Sequence, residues 1–150
     1  MEPLTIIPCS KTKAETDRPI QARRLYSPSQ LFTLNYKFAQ AMKSRPIILS
    51  ARYGFIQPSD VIESYEETFS RPTENTVSEM TLETQAVQMR FYRHPVVYLL
   101  GGIEYRGRAR RALVRAGVKA GLIVEPFAGM PIGKMKQALA AQIKRLEAQA

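Results

Sequence analysis

Tryptophan is absent from this 150-residue chain, and cysteine and histidine occur once each. A single cysteine, Cys9, cannot close an internal disulfide, which fits a reducing compartment. One cysteine and one histidine without ligand spacing do not make a zinc framework, so no metal and no cofactor is expected. The lone His94 stands just before an apolar run read as a strand, and therefore at the opposite end from Cys9. That placement argues against a Cys–His pair and against a Ser-His-Asp triad. Neither a Walker lysine pattern nor G-x-G-x-x-G occurs. No apolar run approaches the roughly 20 residues that span a bilayer, so no membrane partner is expected. Met1-Glu2-Pro3 lacks the basic and apolar regions of a signal peptide, and the chain reads as cytoplasmic.

Acidic residues are also scarce, 13 against 22 lysines and arginines, for a net charge of +9. They are concentrated. Between Gln57 and Glu83, the acids Asp60, Glu63, Glu66, Glu67, Glu74, Glu79 and Glu83 face Arg71 alone. The rest is correspondingly basic, most densely at Arg106, Arg108, Arg110, Arg111, Arg115 and Lys119. Such asymmetry favours a polyanionic partner, with nucleic acid or a nucleotide the usual candidate. A basic surface that merely keeps a protein soluble has the same composition.

What is present is an alternation of apolar runs and helix-like segments, read as one α/β domain over residues 1–150. The runs Leu4–Pro8, Pro46–Ser50, Pro95–Leu100 and Ala120–Val124 are short, continuous and rich in Ile, Val and Leu, as strands covered on both faces should be. Ser27 or Ser29 caps a helix to about Lys43, with Leu31, Leu34, Phe38, Ala41 and Met42 on one side. Further helices are expected from about Glu74 to Phe91, from Ile103 to Ala116 with Gly117 as a left-handed cap, and from Gly133 to Gln149. The order β-α-β-α-β-α-β-α implies a small, mainly parallel four-stranded sheet flanked by helices, a Rossmann-like three-layer arrangement. Two long irregular segments, Ser10 to Ser27 and Arg52 to Pro72, each follow a strand, and loops of that length in a compact domain are usually functional or disordered.

Ligands in open α/β sheets bind beyond the carboxyl ends of the strands. After the first strand come Cys9, Ser10, Lys11 and Lys13; after the second, Ser50, Arg52, Tyr53 and Gly54; after the third, Gly101 and Gly102; after the fourth, Glu125. All four ends are polar or glycine-rich. Lys11, Lys13 and Arg52 suit phosphate or carboxylate, Arg52 through bidentate pairing, although Arg52 paired with Asp60 or Glu63 is the structural alternative. Gly101-Gly102 before a helix lets backbone N–H groups meet an anion, or serves only a tight turn. Cys9 is either a nucleophile activated by its lysines or a buried thiol under the turn. Asp60 and Glu63, in the loop with Tyr65, carry the carboxylates that glycoside chemistry uses, or else neutralise nearby cations. Arg108, Arg111 and Arg115 recur on one helical face, a stripe able to lie along phosphates.

The motifs Ile6-Ile7-Pro8-Cys9-Ser10-Lys11-Thr12-Lys13, Arg24-Leu25-Tyr26-Ser27 and Ile48-Leu49-Ser50-Ala51-Arg52-Tyr53-Gly54-Phe55-Ile56, followed by Pro58, Ile62, Tyr65 and Thr68, resemble a family of small bacterial and phage proteins of unassigned function. The closing Pro126-Phe127-x-Gly129-Met130-x-Ile132-Gly133 is similar to it as well. That family is distantly similar to the peroxide-stress, DNA-binding protein YaaA and to the archaeosine synthase segment with a Pro-Cys-Ser-x-x-Lys-Pro-Tyr-Ser motif. Cys9, Ser10, Lys13, Tyr26 and Ser27 are the matching positions, with an insertion between Lys13 and Tyr26. The resemblance implies contact with nucleic acid or a modified base, and N-glycosidic or 7-deazaguanine chemistry.

The expectation is an enzyme acting on a nucleotide, nucleoside or nucleic-acid base, by cleavage or exchange at an N-glycosidic bond. Ser10, Lys13, Asp60 and Glu63 are the candidate catalytic residues. Cys9, Lys11, Tyr26, Ser27, Ser50, Arg52, Tyr53, Gly54, Gly101, Gly102 and Glu125 are candidate ligand contacts. The alternatives are a non-catalytic DNA- or RNA-binding protein using the Arg108/Arg111/Arg115 face, and a phage-type inhibitor of a host protein.

Overall fold

A computed structural model describes residues 1–150 in full. The central strand, β1 (Leu4–Pro8), is buried along its whole length, as a continuous apolar run requires when helices cover both faces. It pairs in parallel with β3 (Arg45–Ser50) on one side and β6 (Val97–Leu99) on the other, and β6 pairs in parallel with β7 (Ile123–Val124). A fifth strand, β4 (Gly54–Ile56), turns back antiparallel on β3 and completes the order β4-β3-β1-β6-β7. The fold is therefore α/β with a mostly parallel sheet, but of five strands where four are expected from the apolar runs. Three-residue β4 follows β3 so closely that it merges with the glycine-containing turn. Within the expected fourth strand, Ala120–Leu122 forms a 3₁₀ turn, and only Ile123 and Val124 join the sheet.

The two long segments are not structureless. The first holds β2 (Ile20–Gln21) and the short helix α1 (Ala22–Leu25); the second holds β5 (Val61–Ile62). β2 and β5 pair antiparallel, Ile20 with Ile62 and Gln21 with Val61, so each segment is the other's partner.

Four longer helices flank the sheet. α2 (Gln30–Ala41) starts at Ser29, whose side chain accepts the Phe32 N–H. α5 (Ile132–Ala148) packs on α2, and Phe38 of α2 meets Tyr98 and Phe127 edge-on. α3 (Glu79–Gln88) packs on α4 (Ile103–Arg115). α3 begins later than Glu74 because Ser78 caps it, accepting the Thr81 N–H, while Thr73 to Thr76 close a separate turn. Gly117, at φ +98°, follows the end of α4. His94 lies at the amino end of β6 with its Nδ1 2.9 Å from the Glu2 carbonyl, at the opposite end of the parallel strands from Cys9. No helix is long and apolar enough to cross a membrane.

Candidate functional site

Counted along the chain, the four parallel strands lie side by side in the order second, first, third, fourth. After β1 the chain crosses to β3; it later returns to β6 on the opposite side, so the connections diverge above the carboxyl ends of β1 and β6. A crevice opens at such a switch point, and ligands of α/β sheets occupy it. Here it holds a cavity of about 580 Å³, within the range of small-molecule sites. Its walls include Cys9, Ser10, Lys11 and Lys13 after β1, Asn35 on α2, Glu67 and Phe69 from the long segment, and Gly102 to Tyr105 at the start of α4. A second hollow of about 750 Å³, bordered by Arg52 and Arg71, shares Lys11, Glu67 and Thr68 with it.

The β1 end supplies the cationic wall. Pro8 has no N–H to extend the ladder, and Cys9 makes the last backbone bond, to the Leu49 carbonyl at 2.9 Å. The chain then turns, with the Ser10 hydroxyl donating to the Thr12 carbonyl at 2.6 Å. Lys11 is exposed, and the Lys13 ammonium lies 4.7 Å from the centroid of the Tyr65 ring. Opposite them, α4 begins at Gly102 without a side-chain cap. Its first N–H groups and positive dipole end therefore face the crevice unopposed, apart from Glu104 in that turn. Gly101 is required by close packing: at φ +98°, a Cβ on it would stand 2.6 Å from Pro8 Cγ.

Beneath the crevice lies a buried hydroxyl cluster. The Tyr26 and Tyr65 hydroxyls are 2.5 Å apart, and the Ser50 hydroxyl donates to that of Tyr65 at 2.8 Å. Ser50 Oγ in turn accepts the N–H groups of Arg52 and Tyr53, fixing the turn after β3. Cys9 Sγ is 3.3 Å from the Tyr105 hydroxyl. Burial, and after it the nearby Cys9 sulfur, pushes Tyr26, Tyr65 and Tyr105 above the ordinary phenol range. All three therefore stay protonated.

The carboxylate in the crevice is Glu67, not Asp60 or Glu63. The Glu67 side chain is 10% exposed, its Oε1 is 3.6 Å from Arg52, and its Oε2 accepts the Glu66 N–H. Asp60 instead accepts the Gln57 N–H to close a surface turn. Glu63 is exposed outside the crevice, beside Asp17 and Arg18, and its carbonyl accepts the Tyr53 hydroxyl at 3.1 Å. Ser27 also lies elsewhere, its hydroxyl donating to Arg24 O. Gly54 serves packing: the Gln85 amide bridges Phe55 N and Tyr53 O directly against it.

Glu125 is held by two arginines. Arg106 reaches it at 2.7 Å while also donating to Gly101 O, and Arg110 makes contacts of 2.6 and 2.9 Å. Burial raises the Glu125 carboxyl, but the hydrogen bonds from Arg106 and Arg110 outweigh it and leave the group below the usual range. Most of the arginine stripe is engaged as well. The Arg108 guanidinium lies 4.6 Å from the centroid of the Phe69 ring, and Arg111 pairs with Glu79 at 2.5 Å. Arg115 is exposed.

Asn35 was not legible as a site residue. Of the five buried polar residues, Thr5, Ser44, Ser50 and His94 are hydrogen bonded, whereas both polar atoms of the Asn35 amide have no protein partner. An unpaired buried amide costs about 1–3 kcal/mol. Glu67 and Tyr105 were also missed as site residues. Glu67 is one acid among seven in its segment, and Tyr105 reaches Cys9 only through the packing of α4. No three His, Cys, Asp or Glu side chains cluster as a metal site.

Residues 4–141 match a family described as "Family of unknown function (DUF6884)", and the chain belongs to it. It is 30% identical over 111 residues to "Uncharacterized protein YfjM" of Bacillus subtilis (strain 168), covering 71% of this chain and 73% of that protein. No solved structure matches.

Proposed function

We propose that this member of the DUF6884 family binds a nucleotide or nucleoside in the crevice above β1 and β6 and cleaves or exchanges its N-glycosidic bond. One juxtaposition carries the reading: a wall that attracts an anion, made of Lys11, Lys13 and the uncapped start of α4, faces the nearly buried carboxylate of Glu67. Lys11 and the α4 N–H groups hold the phosphate. As the C1′–N bond breaks, its electron pair leaves with the base, whose nitrogen takes a proton from Lys13. Glu67 offsets the positive charge that develops on the sugar ring, as carboxylates do in O-glycoside hydrolysis. Water or an incoming base then bonds to C1′ and returns its proton to Lys13. Ser10 orients the sugar, and Tyr105 offers a protonated phenol in the wall of the same crevice.

The resemblance of Cys9, Ser10, Lys13, Tyr26 and Ser27 to the archaeosine synthase segment, and the family's distant similarity to YaaA, favour the same ligand class, including a base within a nucleic acid. The single unpaired cysteine fits work in the reducing cytoplasm. The engaged arginines weigh against a purely electrostatic nucleic-acid interface on α4.

A thermal-shift panel of nucleoside 5′-monophosphates, coupled to chromatography for released base, tests this. The expected result is stabilisation by at least one nucleotide that is lost in Lys11→Ala, with Glu67→Gln still binding but releasing base about 100-fold more slowly or worse. If no nucleotide stabilises the protein, or Lys11→Ala responds like wild type, the reading fails.

A further inference from the structure

We propose that Asn35 reads the base in this crevice, and that the base presents an amino group beside a ring nitrogen, as adenine does. The assignment rests on the nucleotide reading above and names the ligand's recognition edge. Asn35 is 1% exposed, lines the cavity, and has neither its amide oxygen nor its amide nitrogen bonded to protein. It follows Phe32 by three residues and Leu31 by four, so α2 presents all three to the same cavity. Native interiors seldom leave both ends of an amide idle, and a ligand that completes the bonds is a physical reason to keep one there. Thr5 and Ser44 show the contrast on the same side of the sheet: each finds a partner within 3.0 Å.

The chemistry of the pair follows from the amide. Asn offers one NH₂ donor and one carbonyl acceptor in a plane. Its complement is an acceptor flanked by a donor, which adenine supplies with N7 and the N6 amine, the pairing asparagine makes with adenine in DNA. The phosphate of the same ligand is then met by Lys11 and the first turn of α4, which line the same cavity.

The test compares AMP with purine riboside 5′-monophosphate, which lacks only the exocyclic amine, in wild type and Asn35→Leu. AMP is expected to bind wild type at least tenfold more tightly than the purine riboside nucleotide. Asn35→Leu should erase that preference and weaken AMP at least tenfold. It should also raise the melting temperature of the ligand-free protein, because it removes the unpaired amide. Equal affinity of wild type for the two nucleotides overturns the assignment, as does unchanged AMP affinity in Asn35→Leu. Either result leaves the nucleotide reading standing if AMP binding still depends on Lys11. If AMP does not bind wild type but another nucleoside monophosphate does, the base assignment fails alone; if none binds, both fail. Should Asn35→Leu not fold, the two nucleotides on wild type decide the matter.

Discussion

Gly54 is held at φ +77°, and a Cβ placed on it would stand 2.1 Å from Gln85 Oε1. Alanine there meets the left-handed region and displaces an amide that satisfies two backbone groups at once. Gly54→Ala is therefore expected to lose at least about 2 kcal/mol, read as a lower urea midpoint with an unchanged slope. A glycine after Arg52-Tyr53 announces a turn in the sequence, but the neighbour that demands it is 31 positions away. The same limit applies across the site. Cys9, Ser10, Lys11, Lys13 and Gly102 were legible because they follow apolar strands with no slack. Asn35 was not, since one asparagine in an amphipathic helix reads like any polar residue until its surroundings are known. The choice of Glu67 over Asp60 and Glu63 depends on how the whole segment from Arg52 to Pro72 folds back, which local spacing does not encode.

α4 is the element whose charges the structure reinterprets most. Arg106 and Arg110 clamp Glu125 after β7, tying the helix to the sheet edge, while Arg111 ties it to Glu79 at the start of α3. Because the folded protein holds the Glu125 carboxyl below its unfolded value, the clamp contributes fully above about pH 4.3, the ordinary glutamate value, and fades as pH falls through the lower folded one. Melting temperatures of wild type and Glu125→Gln should thus differ at pH 7 and converge toward pH 3. The Arg111–Glu79 pair is half-exposed and contributes little, within about 1 kcal/mol. Among the elements generally, strands and helices with long apolar patterns were legible in type and order. Two- and three-residue strands were not, because β2, β4 and β5 are defined by the strand opposite rather than by their own composition.

For the whole molecule, the +9 charge is spread over many side chains, whereas the binding proposed for the crevice would depend on a few placed groups. The two separate by mutation. Arg108→Ala/Arg111→Ala/Arg115→Ala removes the Phe69 stack and the Glu79 pair and should lower the melting temperature while leaving AMP binding in place. Lys11→Ala/Lys13→Ala should leave the melting temperature nearly unchanged and lose the AMP response, measured by calorimetry and titration. The three-layer architecture was legible from the alternation of runs, because a parallel sheet needs its helices between strands. How the walls of the crevice are joined was not. The two long segments that reach it meet through the two residue pairs of β2 and β5 and through the Tyr26–Tyr65 hydroxyls. A longer or shorter loop on either side of that small clasp would therefore reshape the mouth of the crevice without breaking a hydrogen bond of the five-stranded sheet.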